Sequence, residues 1–278
     1  EVLVIEGRKN GKTTETAAIE LDLLVNDGEG APQIYNVATK LDQARLGYEA
    51  AVRMRQMSPM LAKHLRKRVS DLYCPMNMGF IKPMASNTSS LDGLDAHAAT
   101  IDELSAIKNR DLYDLVKQAM GARSQPLLFV ITTNGFVREG IFDAQYKYAC
   151  DVLDGKVSAP RFLPFIYELD DRAEWDDPAC WEKANPGLGT IKSRGYLAEM
   201  VQKAKDDPSF KPTVLVKDFN MPQTSESAWL RWEELNNEAT FQIPFDYGIG
   251  GFGAAGTTGP NAAQAIFLRA DGPPPYGR

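Results

Sequence analysis

Gly11, Lys12 and Thr13 stand in succession behind a short apolar run, in LVIEGRKNGKTTETAA from Leu3 to Ala18, and together they suit one kind of chemistry. Backbone N–H groups of a glycine turn at the start of a helix form an anion cradle. A lysine there reaches the β- and γ-phosphates, and the next hydroxyl can ligate Mg²⁺. Gly7, Arg8, Lys9, Asn10, Gly11, Lys12 and Thr13 are therefore candidates for binding ATP, with Thr13 also a candidate Mg²⁺ ligand. The usual pattern has glycine where this chain has Glu6, and Gly7 follows one residue later, so a plain glycine turn before a helix is the competing account.

Two later segments supply what a phosphate cradle lacks. AATIDE, Ala98 to Glu103, delivers two adjacent acids at the end of a small apolar strand. Asp102 can hold Mg²⁺, directly or through its water shell, while Glu103 can orient and deprotonate an attacking water. The alternative use of such a pair is to cap a helix beginning at LSAIK. LLFVITTNG, Leu127 to Gly135, then puts Thr132, Thr133 and Asn134 at a strand end, where they can bond a water or register loss of the γ-phosphate. Local bonding of Thr and Asn side chains to their own backbone would explain the same residues.

To position these groups the pattern predicts strands at Val2–Ile5, Ile34–Ala38, Ala98–Ile101 and Leu127–Ile131, and a further one in RFLPFIYEL. Helices are expected over Thr13–Leu24, from Leu41 through Met57, and between Arg138 and Gly155, while Leu72–Pro83 reads as weak, antiparallel strands. A break at Ser58-Pro59 is followed by a basic stretch that reads as resumed helix, holding Lys63, Arg66, Lys67 and Arg68 after Arg53 and Arg55. That patch is either a polyanion contact or an ordinary solvated face. Continuous apolar strands such as LLFVI suit a mainly parallel sheet covered on both faces, so the fold class is α/β.

With 278 residues and 44% apolar content the chain can bury one large α/β domain plus a smaller piece. Cys74, Cys150 and Cys180 form no CxxC pair and leave an odd count, which points to a reduced intracellular compartment rather than a disulfide scaffold. No apolar run reaches a membrane-spanning length, and no basic-then-apolar leader appears. A net charge of −6 argues against a general nucleic-acid coat without forbidding local DNA contact. His64 and His97 lack companions at metal-ligand spacing. The phosphate loop begins within six residues of Glu1, which suggests a fragment of a longer protein.

The order GRKNGKT, SSLDGLDAHAATIDELSAI and LLFVITTNG resembles the large subunit of tailed-bacteriophage terminase. YNVATKLDQAR from Tyr35 is similar to that family too, as is NPGLGTIKSRGYLAEMVQKAKDDPSFKPTVLVKDFNMPQTSESAWL ending at Leu230. The resemblance covers nearly all of residues 1 to 252. It implies a P-loop NTPase domain with its linker over 1–230, and the start of an RNase-H-like nuclease domain over 231–278. It further implies an ATP- and Mg²⁺-dependent motor that packages double-stranded DNA. The partners so implied are a small terminase subunit, a portal protein and a homo-oligomeric ring, and the setting is the host bacterial cytoplasm with transient docking on the procapsid.

Carried over by position, the resemblance puts Arg8, Gly11, Lys12 and Thr13 in the phosphate loop, with Arg8 on the γ-phosphate. Asp102 and Glu103 fall in the acidic motif, and Thr132, Thr133 and Asn134 in the coupling motif. The trans-acting arginine stays unassigned, since Ser86 to Ala99 holds none; Arg110 and Arg138 are candidates besides Arg8. The family's adenine-contacting segment lies ahead of the phosphate loop. In YGIGGFGAAGTTGPNAAQAIF, Gly253 and Gly259 stand where the nuclease carboxylates are expected, so DNA cleavage is not expected of this chain.

Overall fold

The computed structural model describes residues 1–85, 93–107, 110–135, 140–222, 247–253 and 262–268, the last two as backbone strands. In chain order its elements are β1 (Val2–Ile5), α1 (Lys12–Val25), β2 (Gln33–Ala38), α2 (Leu41–Met57), α3 (Pro59–His64), β3 (Arg66–Lys67), β4 (Leu72–Cys74) and β5 (Gly79–Ala85). They continue with β6 (Ala98–Asp102), α4 (Asp111–Gln118), β7 (Leu127–Thr132), α5 (Ile141–Leu153), β8 (Leu163–Ile166), α6 (Trp181–Ala184), α7 (Arg194–Asp206) and α8 (Lys211–Phe219). The chain divides into two compact units, Glu1–Ala228 and Trp229–Arg278. In the second, β9 (Tyr247–Gly253) and β10 (Ala262–Leu268) pair antiparallel, with Gly253 opposite Ala262. Gly259 lies outside the described residues.

The first unit is built on one eight-stranded sheet in the order β3-β4-β5-β2-β6-β7-β1-β8. From β5 to β8 every pairing is parallel, and only β4, paired antiparallel with both β3 and β5, runs against the rest. Alternation along the strands feeds two cores. Leu3, Ile5, Tyr35, Val37, Ala99, Ile101, Leu128 and Val130 face one side, with Leu112, Tyr113, Val116, Ile141 and Phe142 of α4 and α5. Ile34, Ile81 and Ala98 face the other, with Ala17, Leu21 and Leu24 of α1 and Tyr48, Ala51 and Val52 of α2. Burial of these strands on both faces explains why LLFVIT carries no polar residue before Thr132. The mainly parallel sheet with helices on both faces is thus as the sequence reading has it. No helix among the described residues is long and apolar enough to cross a membrane.

Two expectations need correction. The basic stretch does not continue as helix: α3 starts at Pro59, with the Ser58 hydroxyl capping Leu61 N–H at 3.3 Å, and ends at His64. Leu65, fully buried, draws the chain into extended conformation, and Arg66 and Lys67 pair with Tyr73 and Leu72 as the outermost strand. Arg68 closes the hairpin through Asp71 at 2.6 Å, with its guanidinium 4.0 Å from the centre of the Tyr73 ring. Exposed charges on an edge strand also keep that edge from pairing with another chain. In RFLPFIYEL the strand is shorter than expected, Leu163–Ile166. His97 is buried against the Asp27 carboxylate at 2.7 Å, whereas His64 is half-buried beside Met76. No metal-binding cluster of His, Cys, Asp or Glu occurs among the described residues.

Glu20 of α1 sits wholly inside, its Oε1 accepting bonds from Asn36 Nδ2 of β2 and Thr100 Oγ1 of β6, and its Oε2 meeting no partner. Burial pushes its carboxyl up to about 7 from an ordinary 4.5, against the pull of those two bonds. Between these values the folded chain keeps a proton that the unfolded chain releases. Stability should therefore fall as pH rises from about 4.5 to about 7, by on the order of 3 kcal/mol, and this group adds no further loss above that. Urea unfolding at pH 5 and pH 8 checks the effect, and Glu20→Gln should remove this part of the pH dependence.

Candidate functional site

Three turns meet at the carboxyl edge of the parallel sheet because their strands are neighbours in register. Ile5 pairs with Thr132 and Ile131 with Asp102, so β7 lies between the strand that ends in the glycine loop and the strand that ends in the acid pair. Crevices at the carboxyl ends of parallel strands are where such sheets bind ligands.

The loop itself is held open by its own backbone and from behind. Lys9 and Gly11 both take left-handed conformations, with φ of 64° and 105°, and Gly11 leads into α1 without any side-chain cap. The first N–H groups of α1 have no intrahelical acceptor. Lys12 Nζ donates to the carbonyls of Glu6 and Gly7, at 2.8 and 3.1 Å, and lies 3.9 Å from the Glu6 carboxylate. Burial lowers this ammonium to about 8, against the attraction of Glu6, Asp102 and Glu103. Thr13 and Asp102 line one narrow cleft with Gln43, Thr100 and Ile131. The Asp102 carboxyl is pushed up to about 6, first by burial and then by Glu103, with Lys12 opposing.

Glu103 takes the left-handed conformation at φ 55° just ahead of a 3-10 turn, Leu104–Ala106, and its side chain does not cap that turn. Its Oε2 instead accepts from Gln43 Nε2 at 3.1 Å, and Gln43 is fixed in turn by the Thr39 hydroxyl at 2.8 Å. On β7 the local bonds expected of a Thr-Asn turn are present: Thr132 Oγ1 donates to Thr133 O and Thr133 Oγ1 to Asn134 O, at 2.7 and 3.1 Å. Thr132 Oγ1 also accepts from Ser105 N, which joins this turn to the acid pair's turn.

Residues 167–222 form the back of the site; part of this segment carries the family resemblance, but the sequence reading places no site residue in it. Gly7 N donates to Ala184 O and Arg8 N to Lys217 O. A Cβ on Gly7 would come within 2.6 Å of Asn185 Oδ1 and of Asp218 O, so close packing accounts for a glycine at this displaced position. Asn10 is buried. Its Nδ2 donates to Gly7 O and Asn185 Oδ1, and its Oδ1 accepts from Gly187 N. Lys192, also buried, bridges Asn185 Oδ1 and Asp218 Oδ1 at 2.8 and 2.7 Å. Breaking one side of a buried ion pair of this kind typically costs about 3–5 kcal/mol, so the loop's shape depends on a segment far along the chain. A sequence signal existed: the asparagines, glycines and lysines of NPGLGTIK and KDFN punctuate an otherwise helical stretch.

Arg8, within the loop, is exposed. Arg110 is not brought to this edge. It pairs with Asp114 at 2.8 Å and lines a cleft with Glu1, Pro126 and Phe162 at the amino ends of the strands. Arg138 lies outside the described residues.

Comparison with known proteins bears on the same chain. The family model of the terminase large subunit, ATPase domain, matches residues 1–151, and that of the terminase large subunit, endonuclease domain, matches residues 156–248. The terminase large subunit of Enterobacteria phage HK97 is 29% identical over 249 residues, which cover 85% of this chain and 47% of that protein. Protein YmfN of Escherichia coli K12 is 30% identical over 151 residues, or 53% of this chain and 33% of the relative. This chain therefore spans half or less of the length of these curated relatives. The crystal structure of the HK97 bacteriophage large terminase superposes with a TM-score of 0.71 at 26% identity, covering 98% of this chain and 57% of that one. The ATPase domain of the Thermus phage P74-26 large terminase, at 12% identity and a TM-score of 0.54 over 78% of this chain and 86% of its own, shares the fold.

Proposed function

Since the chain belongs to the terminase large-subunit family, we propose that it hydrolyses ATP with Mg²⁺ and couples this to the packaging of double-stranded viral DNA into procapsids. The observation that carries the reading is the meeting of Lys12, Thr13, Asp102 and Glu103 at one sheet edge. In this proposal the N–H groups of Lys9 to Thr13 cradle the phosphates, those of Gly7 and Arg8 being taken by Ala184 O and Lys217 O, while Lys12 reaches the β- and γ-phosphates and the Arg8 side chain contacts the γ-phosphate in cis. Thr13 and Asp102, which share a cleft, suit a hard cation bound through oxygen ligands. Bound Mg²⁺ would supply charge neutralisation at the phosphate oxygens. Glu103, oriented by Gln43, takes the proton of the attacking water as its oxygen bonds the γ-phosphorus and the bond to ADP breaks. Thr132, Thr133 and Asn134 link the state of that phosphate to the rest of the fold.

The partners in this proposal are double-stranded DNA, a small terminase subunit and a portal protein, with the chain acting in a homo-oligomeric ring that docks transiently on the procapsid in the host bacterial cytoplasm. We assign it no DNA cleavage, because Gly253 and Gly259 offer no oxygen side chain at the positions expected to hold metal.

Phosphate release from Mg-ATP tests the reading. The protein, assembled with portal and DNA and given no other acceptor, should release phosphate steadily. Release that appears only with an added acceptor would identify a kinase, and a ring that assembles without any turnover would identify an inactive assembly protein.

A further inference from the structure

The last turn of α8 touches the site twice through one residue. The main-chain carbonyl of Lys217 accepts from Arg8 N at 2.8 Å, in the phosphate loop. Its ammonium reaches the other way and donates to Thr133 Oγ1 and Asn134 O, both at 3.1 Å. Asn220, just beyond, locks the same turn: its Oδ1 accepts from Asn134 N, its carbonyl accepts from Asn134 Nδ2, and its Nδ2 donates to Tyr167 O. Lys217 thus bridges the two turns through a single residue, beside the pairing of their neighbouring strands and the longer route through Asn185, Asp218 and Asn220.

The electrostatic surroundings fit this place. Burial lowers the Lys217 ammonium below its ordinary value and the charge of Arg8 lowers it further, while Glu103 acts in the opposite sense. The lysine thus stands near both the arginine of the loop and the acid proposed as base, and its two bonds go to neither. Its donors are spent on the turn at the end of β7, which its length and direction fix.

We propose that Lys217 is a positioning residue for hydrolysis, holding the Thr133–Asn134 turn against the phosphate loop so that the attacking water is fixed between that turn and Glu103. The proposal rests on the nucleotide-hydrolysing reading above. Misplacement of reacting groups by about 1 Å can cost as much as 10²-fold in rate, and binding energy is not what this strut supplies.

Lys217→Met, Lys217→Arg, Thr133→Val and the Lys217→Met/Thr133→Val pair are compared in the full chain assembled with portal and DNA, reading kcat, KM and melting temperature. Lys217→Met should lower kcat by about 10- to 10²-fold with KM changed less than about threefold. Lys217→Arg should recover part of the loss. Thr133→Val should show a smaller loss of the same kind, and the double variant should be no worse than Lys217→Met, since both act through one contact. A kcat for Lys217→Met equal to the parent's, or losses that multiply in the pair, would overturn the assignment while leaving the hydrolysis reading intact. A parent assembly that binds nucleotide without turnover would remove the reading itself and the assignment with it. Should Lys217→Met fail to fold, an unchanged kcat in Thr133→Val would overturn the proposal alone.

Discussion

Glu103→Gln is expected to lower ATP turnover by about 10²- to 10⁴-fold, the range typical of a lost general base, while nucleotide affinity stays close to that of the parent. The substitution keeps the shape of the side chain and an oxygen to accept from Gln43, now 3.1 Å from the carboxylate. It removes the acceptor for the water's proton. A left-handed residue at φ 55° at this edge is set by its neighbours rather than by its side chain, so the backbone should hold. The measurement is single-turnover hydrolysis in the portal- and DNA-loaded assembly, alongside equilibrium binding of a slowly hydrolysed ATP analogue. Equal turnover by the parent and by Glu103→Gln, in an assembly shown to be active, would remove Glu103 from the base role.

Lys12→Ala should act earlier, on binding. An ammonium bonded to phosphate oxygens contributes about 1.5–3 kcal/mol as a charge-assisted contact, so its removal should raise the dissociation constant by roughly 10- to 10²-fold. The same residue gives the site a pH signature. Burial lowers its ammonium to about 8, whereas a bound phosphate would stabilise the protonated form. Affinity should then be level with pH below about 8 and fall above it, approaching tenfold per unit.

How much of this was legible in the sequence follows from what each residue depends on. GRKNGKT, TIDE and FVITTN are local signals, each a strand end with its own chemistry, and parallel neighbours in register bring them together. Glu103 precedes a short helical turn, as the capping account expects, yet its side chain turns to Gln43 instead. That partner sits sixty residues away in the chain, a separation no local pattern encodes. The back wall was hidden for the same reason. Asn185, Lys192, Lys217 and Asn220 gain meaning only once α6 and α8 pack behind Gly7. Arg66 and Lys67 misled in the other direction, since helical spacing of charges does not register a buried Leu65 that turns the chain into a strand.

Equilibrium titration of the chain with a Mg²⁺-bound, slowly hydrolysed ATP analogue between pH 7 and pH 9.5, beside the same titration of Lys12→Ala, addresses the nucleotide site most directly. Saturable binding is predicted, steady up to about pH 8 and weakening above it, with Lys12→Ala weaker by roughly 10- to 10²-fold and without that decline. Binding by Lys12→Ala equal to the parent's at every pH, or no binding by the parent at all, would contradict the assignment of Lys9 to Thr13 as the phosphate cradle.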